Sequence, residues 1–297
     1  MNFKPQTSVD IRPGHAYRSF ENNKMGFRIE VGDLAKTTGM AIDLFGKNKA
    51  GQAMGAILKS RIYASKYHEM QDWGIDCLKV GYSPGLGGVY VIDGDKKTRT
   101  DARTTEFEIL EEGPVLTRMH VHGPVEINGK KLDVGRTLTV TADDRGIDDV
   151  VEIKGDEAAL VGLEVGIGIL ELPNNTWIED AKTGYAFVDG GGNQDGTDHL
   201  DIGCAFVPEQ YVRTDVLKGG ATTPSVEIPD IGGKIVVLRG DKKDGMITSH
   251  HHLGAGWNGD GEVADKEAMQ KVLMDWAKLL QEPVKVEVGE VERAAGK

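Results

Sequence analysis

Between residues 105 and 155 the chain carries four strand-like segments in close succession: TEFEILEEG (105–113), VLTRMHVHG (115–123), GRTLTVTAD (135–143) and DVVEIKG (149–155). Apolar and polar side chains alternate in them, or β-branched residues cluster, and a period of two fits a sheet with one buried face rather than a helix. The same pattern appears in GFRIEVG (26–32), VGLEVGIGILEL (161–172), YAFVDGG (185–191), DIGCAFVP (201–208), KIVVLRG (234–240) and VKVEVGEV (284–291). NGK at 128–130 and GDKK at 240–243 read as turns between strands. One long helix is predicted over 264–281, where Met269, Val272, Leu273, Trp276, Leu279 and Leu280 recur at helical spacing and Pro283 follows. A second helical candidate is the small-residue stretch 47–58. No repeat or linker interrupts the chain. The expectation is therefore a single mainly β domain over 1–297, a large antiparallel β-sandwich with one C-terminal helix.

Composition narrows the partners. A net charge of −12 opposes a general nucleic-acid or anionic-membrane binder, both of which need basic surface. An anionic ligand would need a local basic island. The two cysteines, Cys77 and Cys204, lie far apart in no zinc-like spacing and read as buried thiols. No run is long enough to span a membrane, and MNFKPQTSVDIRPG at the N-terminus has no apolar signal core. The expected location is the cytoplasm, or the periplasm if an export signal has been removed.

Alternation also assigns side chains to faces. In 115–122, Val115, Thr117, Met119 and Val121 share one face, and Leu116, Arg118, His120 and His122 share the other. An Arg-x-His-x-His face is unusual for a plain solvent-facing strand. Arg136 falls with Leu138 and Val140, among residues suited to burial, which suggests a cation in a pocket or an ion pair. In ITSHHHLGAGW (247–257), an extended backbone points His250 and His252 one way and His251 the other, so three adjacent histidines cannot serve one site. A zinc-type site would use His120 and His122, completed by His250 and His252 or an acid. The same residues could instead bind a carboxylate or shuttle protons.

The second dense region is SKYHEMQDWGIDCLKVGYSPGLGG (65–88), with Tyr67, His68, Asp72, Asp76, Lys79 and Tyr82. It lacks the order of a phosphate-binding loop and reads either as a glycine-rich loop over a pocket or as a structural loop with solvated charges. Trp73, Trp177 and Trp257 are candidates for stacking on sugar rings, with core packing as the alternative for each. Trp276 belongs to the helix's apolar stripe.

YRSFENNKMGFRI (17–29), GMAIDLFGK (39–47), YHEMQDWGIDCLKVGYSPGLGG (67–88) and HLGAGW (252–257), taken together, resemble a bacterial family known as a domain of unknown function and found beside polysaccharide-degrading enzymes. One branch of that family is a dehydratase acting on ulvan oligosaccharides, and other members accompany pectin degradation. The resemblance implies a β-supersandwich of the galactose-mutarotase type. It also implies loss of water from a terminal uronic acid of an acidic oligosaccharide, giving a 4,5-unsaturated sugar.

In that chemistry a base removes the C5 proton, cations stabilise the developing enediolate, and a proton donor assists departure of the C4 hydroxyl. On the resemblance, Arg136 and Lys79 neutralise the carboxylate, while His122 and His68 are base and acid in either order, with Tyr67 in reserve. Arg118, His120, Tyr82, His251 and His252 line the sugar site, with Trp257 as a wall. No cofactor is required, although a divalent metal such as zinc fits the histidines. Alternatives are a chain-cleaving polysaccharide lyase, a non-catalytic carbohydrate-binding module, or a mutarotase-like protein using a histidine with a carboxylate such as Glu164.

Overall fold

A computed structural model describes residues 5–10, 17–30, 40–52, 66–81, 83–100, 106–191, 199–217 and 232–282. The alternating segments form two antiparallel sheets. The first runs from Thr7–Asp10 through Tyr17–Asn22, Met25–Glu30, Ile42–Lys47, Leu86–Asp93, Leu163–Leu170 and Gly233–Leu238 to Tyr211–Leu217. Gly74–Asp76 and Lys96–Arg99 pair beside it. The second runs from Thr176–Asp180 through Tyr185–Gly190, Leu200–Phe206, Met246–Trp257, Gly146–Lys154, Lys130–Thr141 and Leu116–Ile127 to Glu106–Glu112, with Asp241–Lys243 beside Met246–Trp257.

One apolar core joins the two sheets. Phe27, Ile29, Ile42, Leu44 and Ile167 of the first belong to the same buried cluster as Met119, Val121, Leu138, Val151 and Leu253 of the second. Each such side chain contributes about 1.5–3 kcal/mol by leaving water. The face assignment of 115–122 holds from Leu116 on: Thr117, Met119 and Val121 are buried, while Leu116, Arg118, His120 and His122 are partly open on the outer face. Val115, expected with the buried set, precedes the strand and is exposed.

Two hairpins turn on residues in the left-handed region. Asn128 and Gly129 (φ 52° and 76°) join Ile127 to its partner Lys130. Asp244 and Gly245 (φ 51° and 74°) join Lys243 to Met246. The second hairpin corrects the reading of GDKK as a turn, because Asp241–Lys243 is a strand and the turn is the Asp-Gly pair after it.

The helix spans Lys266–Gln281, capped by Asp265, whose carboxylate accepts from the Ala268 amide at 2.9 Å. Its stripe of Met269, Leu273, Trp276 and Ala277 packs with Tyr185, Phe187, Ala205 and Val263 over the outer face of the second sheet. Gly254 is required there, since a side chain would enter the Trp276 ring. The stretch 47–58 is helical at Lys49–Gln52, while residues 53–58 and the expected strand 284–291 lie outside the described residues. Cys77 and Cys204 are buried and free, as their spacing suggested. No helix among the described residues is long and apolar enough to cross a membrane.

Candidate active site

Strands Met25–Glu30, Ile42–Lys47 and Gly74–Asp76 lie side by side, and Arg28 stands directly opposite Asp43 in the register. Alternation sends Phe27, Ile29, Ile42, Leu44 and Ile75 into the core. It thereby turns Arg28, Asp43 and Asp76 to the opposite face. Arg28 is ion-paired with Asp43, and its Nη2 lies 4.0 Å from Asp76 Oδ2. Its guanidinium sits 5.2 Å from the Phe45 ring centre, 5.4 Å from Tyr67 and 5.5 Å from Tyr17. Arg28 Nη1 donates to the Tyr67 hydroxyl at 3.4 Å. Cation, acids and aromatic rings hold one another in place.

The segment entering Gly74–Asp76 brings the histidine. Gly74 has φ 140°, and a side chain there would strike the Gly46 carbonyl, so only glycine allows this approach. The Asp76 amide donates to the Tyr67 carbonyl at 3.0 Å. His68 Nδ1 then lies 3.0 Å from Asp76 Oδ2, with the Asp76 side chain buried and that of His68 53% exposed. The rings of Tyr67 and His68 are 4.1 Å apart, centre to centre. His68, Asp76, Arg28 and Asp43 line a cavity of about 100 Å³ together with Glu30 and Lys79.

The electrostatics favour a neutral imidazole. Partial burial, then Arg28 and Lys79, hold the His68 pKa below its ordinary value. Burial pushes the Asp43 carboxyl up to about 6 against the pull of Arg28. Burial alone would lower the Arg28 pKa, but Asp43 and Asp76 outweigh it and raise it. An exposed imidazole backed by a buried carboxylate, with Lys79 on the same cavity and the Tyr67 phenol against the imidazole ring, is an acid–base arrangement beside a cation.

The sequence-derived site residues are therefore divided. His68, Lys79 and Tyr67 are brought together; Tyr82 lies outside the described residues. Arg118, His120 and His122 occupy the outer face of the second sheet, across the core. Arg118 Nε donates to Thr139 Oγ1 at 3.3 Å, His120 Nδ1 lies 3.0 Å from Thr137 Oγ1, and His122 sits 3.4 Å from Asp133 and 3.5 Å from Glu106. His122 and His68 thus do not share a pocket.

Arg136 is corrected from a carboxylate-binding group to a buried ion pair. Its side chain is 0% exposed, its Nε lies 3.0 Å and its Nη2 2.7 Å from Asp149, and Nη1 donates to the Met40 carbonyl at 2.5 Å. No part of the guanidinium is left for a sugar. His251 is buried beside the same aspartate, with Nε2 2.7 Å from Asp149 Oδ2. Burial would raise the Asp149 pKa, but Arg136 and His251 outweigh it and hold the carboxyl below its usual range.

The other two histidines of that strand turn the opposite way. His250 Nε2 meets Asp148 at 2.6 Å, whereas His252 packs on Trp276 at 4.0 Å between ring centres. The expected split of two against one holds, but neither His251 nor His252 lines the His68 cavity, and the proposed histidine set does not converge on one ion. Trp257 is buried against Gly46 and Gly259 and offers no wall for a sugar. Glu164, the mutarotase-type carboxylate, is paired with Arg213 at 2.8 Å.

Sequence reading missed Arg28 and Asp43, and it placed Asp76 in the dense 65–88 region without giving it a role. Their signal was a charge at the position of a strand whose neighbours on both sides are core residues. Arg136 gives the opposite signal: it is in phase with the core residues Val134 and Leu138, so its charge points inward.

A family profile described as "Domain of unknown function (DUF4861)" matches residues 5–286. The chain belongs to the DUF4861 family. No curated protein matches this DUF4861 chain. Among solved structures it is similar to a heparan sulfate lyase HepC mutant from Pedobacter heparinus, at 10% identity and TM-score 0.47 over 84% of this chain and 36% of that one. It is also similar to a heparinase III gene product with methylated lysines, at 9% identity and TM-score 0.45, again over 84% of this chain and 36% of that one. The DUF4861 chain thus spans about a third of the length of these structures.

Proposed function

We propose that the protein is a carbon–oxygen lyase, a dehydratase that removes water from a terminal uronic acid of an acidic oligosaccharide, with its chemistry at the His68 cavity. The observation that carries this reading is the half-exposed His68 imidazole held by buried Asp76 beside Lys79 and Tyr67. The substrate class comes from the resemblance of residues 17–29, 39–47, 67–88 and 252–257 to a family that includes such an enzyme.

His68 takes the C5 proton through Nε2, because Nδ1 faces Asp76. Lys79 binds the uronate carboxylate and stabilises the enediolate that forms as the C5–H bond breaks. Electrons then close the C4–C5 double bond as the C4–O bond breaks, and Tyr67 supplies the proton that lets the hydroxyl leave as water. The proton on His68 returns to the Tyr67 oxygen, so the net change is loss of one water. Arg28 keeps the Tyr67 hydroxyl in place.

Incubation with uronate-terminated oligosaccharides, followed by mass spectrometry, tests the reading. A loss of about 18 mass units without chain cleavage, together with ultraviolet absorbance from a conjugated unsaturated uronate, is the expected result. Two shorter fragments would identify a chain-cleaving lyase instead. Binding without turnover across such substrates would leave a carbohydrate-binding module and end the dehydratase proposal.

A further inference from the structure

The hairpin of Tyr185–Gly190 and Leu200–Phe206 places two carboxylates directly opposite each other, since Asp189 pairs with Asp201 in the register. Like charges in that position repel, and they repel more where water is excluded. Asp201 is fully buried. His199 stands beside both, with Nε2 3.0 Å from Asp201 Oδ2 and Nδ1 3.7 Å from Asp189 Oδ1. One donor atom from each of the three residues can be chosen so that all lie within 4.8 Å of one another.

A second observation points to a ligand. The remaining Asp201 oxygen, Oδ1, is buried and has no hydrogen-bond partner. A buried carboxylate oxygen without a donor has lost its water and gained nothing in return. The imidazole satisfies one oxygen and leaves this one unsatisfied.

We infer that Asp189, His199 and Asp201 form a binding site for a divalent transition cation of the zinc class, held by two carboxylates and one imidazole at the rim of the second sheet. Three protein ligands with room for water is a coordination that zinc commonly accepts, and the imidazole nitrogen favours it over calcium, which takes six to eight oxygens. The site is separate from the His68 cavity and from the histidines of ITSHHHLGAGW. It lies on the helix-covered face: Asp201 approaches Gly256, which packs on Val263 just before the helix. A bound cation would therefore brace the sheet where the helix begins.

The test uses the full chain, stripped with EDTA and titrated with zinc by calorimetry while thermal unfolding is followed. One equivalent of zinc should bind and raise the unfolding temperature. Calcium should bind at least tenfold more weakly, and Asp201→Asn should weaken zinc binding by about tenfold or more. His199→Ala, at a partly exposed position outside the strand, should do the same and serves if Asp201→Asn does not fold. The inference is overturned by absence of stoichiometric zinc binding, by equal affinity for calcium, or by unchanged zinc affinity in the His199 variant.

Discussion

The Nδ1 atom of His68 lies 3.0 Å from the carboxylate of Asp76, a buried acid behind a half-exposed base. That relationship fixes which ring nitrogen faces the cavity, and orientation of a histidine by a carboxylate is a recurring device in proton transfer. His68→Ala should lower turnover on uronate oligosaccharides by about 10²–10⁴-fold. Circular dichroism should be unchanged, because the ring is exposed. Wild-type rates of ultraviolet product formation in this variant would remove His68 from the mechanism.

Acid–base work at this site has a signed pH dependence. His68 must be neutral to accept a proton, and burial, Arg28 and Lys79 lower its pKa. The acidic limb of kcat/KM should therefore fall below about 6.5, the ordinary histidine value. Lys79→Ala removes one of the cations and should move that limb upward while raising KM. A limb that stays in place in the lysine variant would show that Lys79 does not act on His68.

His252 gives a separate dependence, of stability rather than rate. Its burial would lower its pKa, but Asp144 at 3.3 Å and Asp148 at 3.9 Å outweigh that and raise it. A raised folded-state value stabilises the protein fully below the unfolded pKa of about 6.5, and that contribution is lost as pH rises through the folded value. Urea midpoints should drop on going from mildly acidic to alkaline buffer. His252→Gln should flatten the difference, and an equally steep slope in that variant would assign the effect to other groups.

The Arg136–Asp149 pair should behave as a structural element. Arg136→Ala leaves the buried Asp149 carboxylate with only His251 beside it, at a cost of about 3–5 kcal/mol. The double change Arg136→Met with Asp149→Leu should recover most of that in urea denaturation. Loss of substrate affinity in Arg136→Ala with stability unaltered would restore the arginine to a binding role.

The sequence made the strand faces legible because alternation is a local property. Met119 and Val121 are core, His120 and His122 lie outside, and His251 is separated from His250 and His252, all as period two requires. What alternation did not give was the distance between faces of different sheets. His68 and His122 both sit among polar neighbours, yet the sandwich core separates them. Asp149 could not be paired with Arg136 in advance, because only strand pairing, with Arg136 opposite Val151, brings the two side chains together. GYSPGLGG read as a loop, but its last residues begin the strand Leu86–Asp93. Gly87 is needed there because a side chain would enter space held by Leu253 and the Arg136 guanidinium.

The strand Met246–Trp257 now appears as three commitments in three consecutive residues: a surface ion pair at His250, a buried charge cluster at His251 and a helix seat at His252. Its register is set by the short Asp244–Gly245 turn and by Gly146–Lys154 beside it. A one-residue insertion in that turn that shifted the strand would leave the composition HHH intact and misassign every member of it. For this strand the parity of a position carries more information than the identity of the residue, so variants that conserve the three histidines but alter the turn length should be the harder ones to fold.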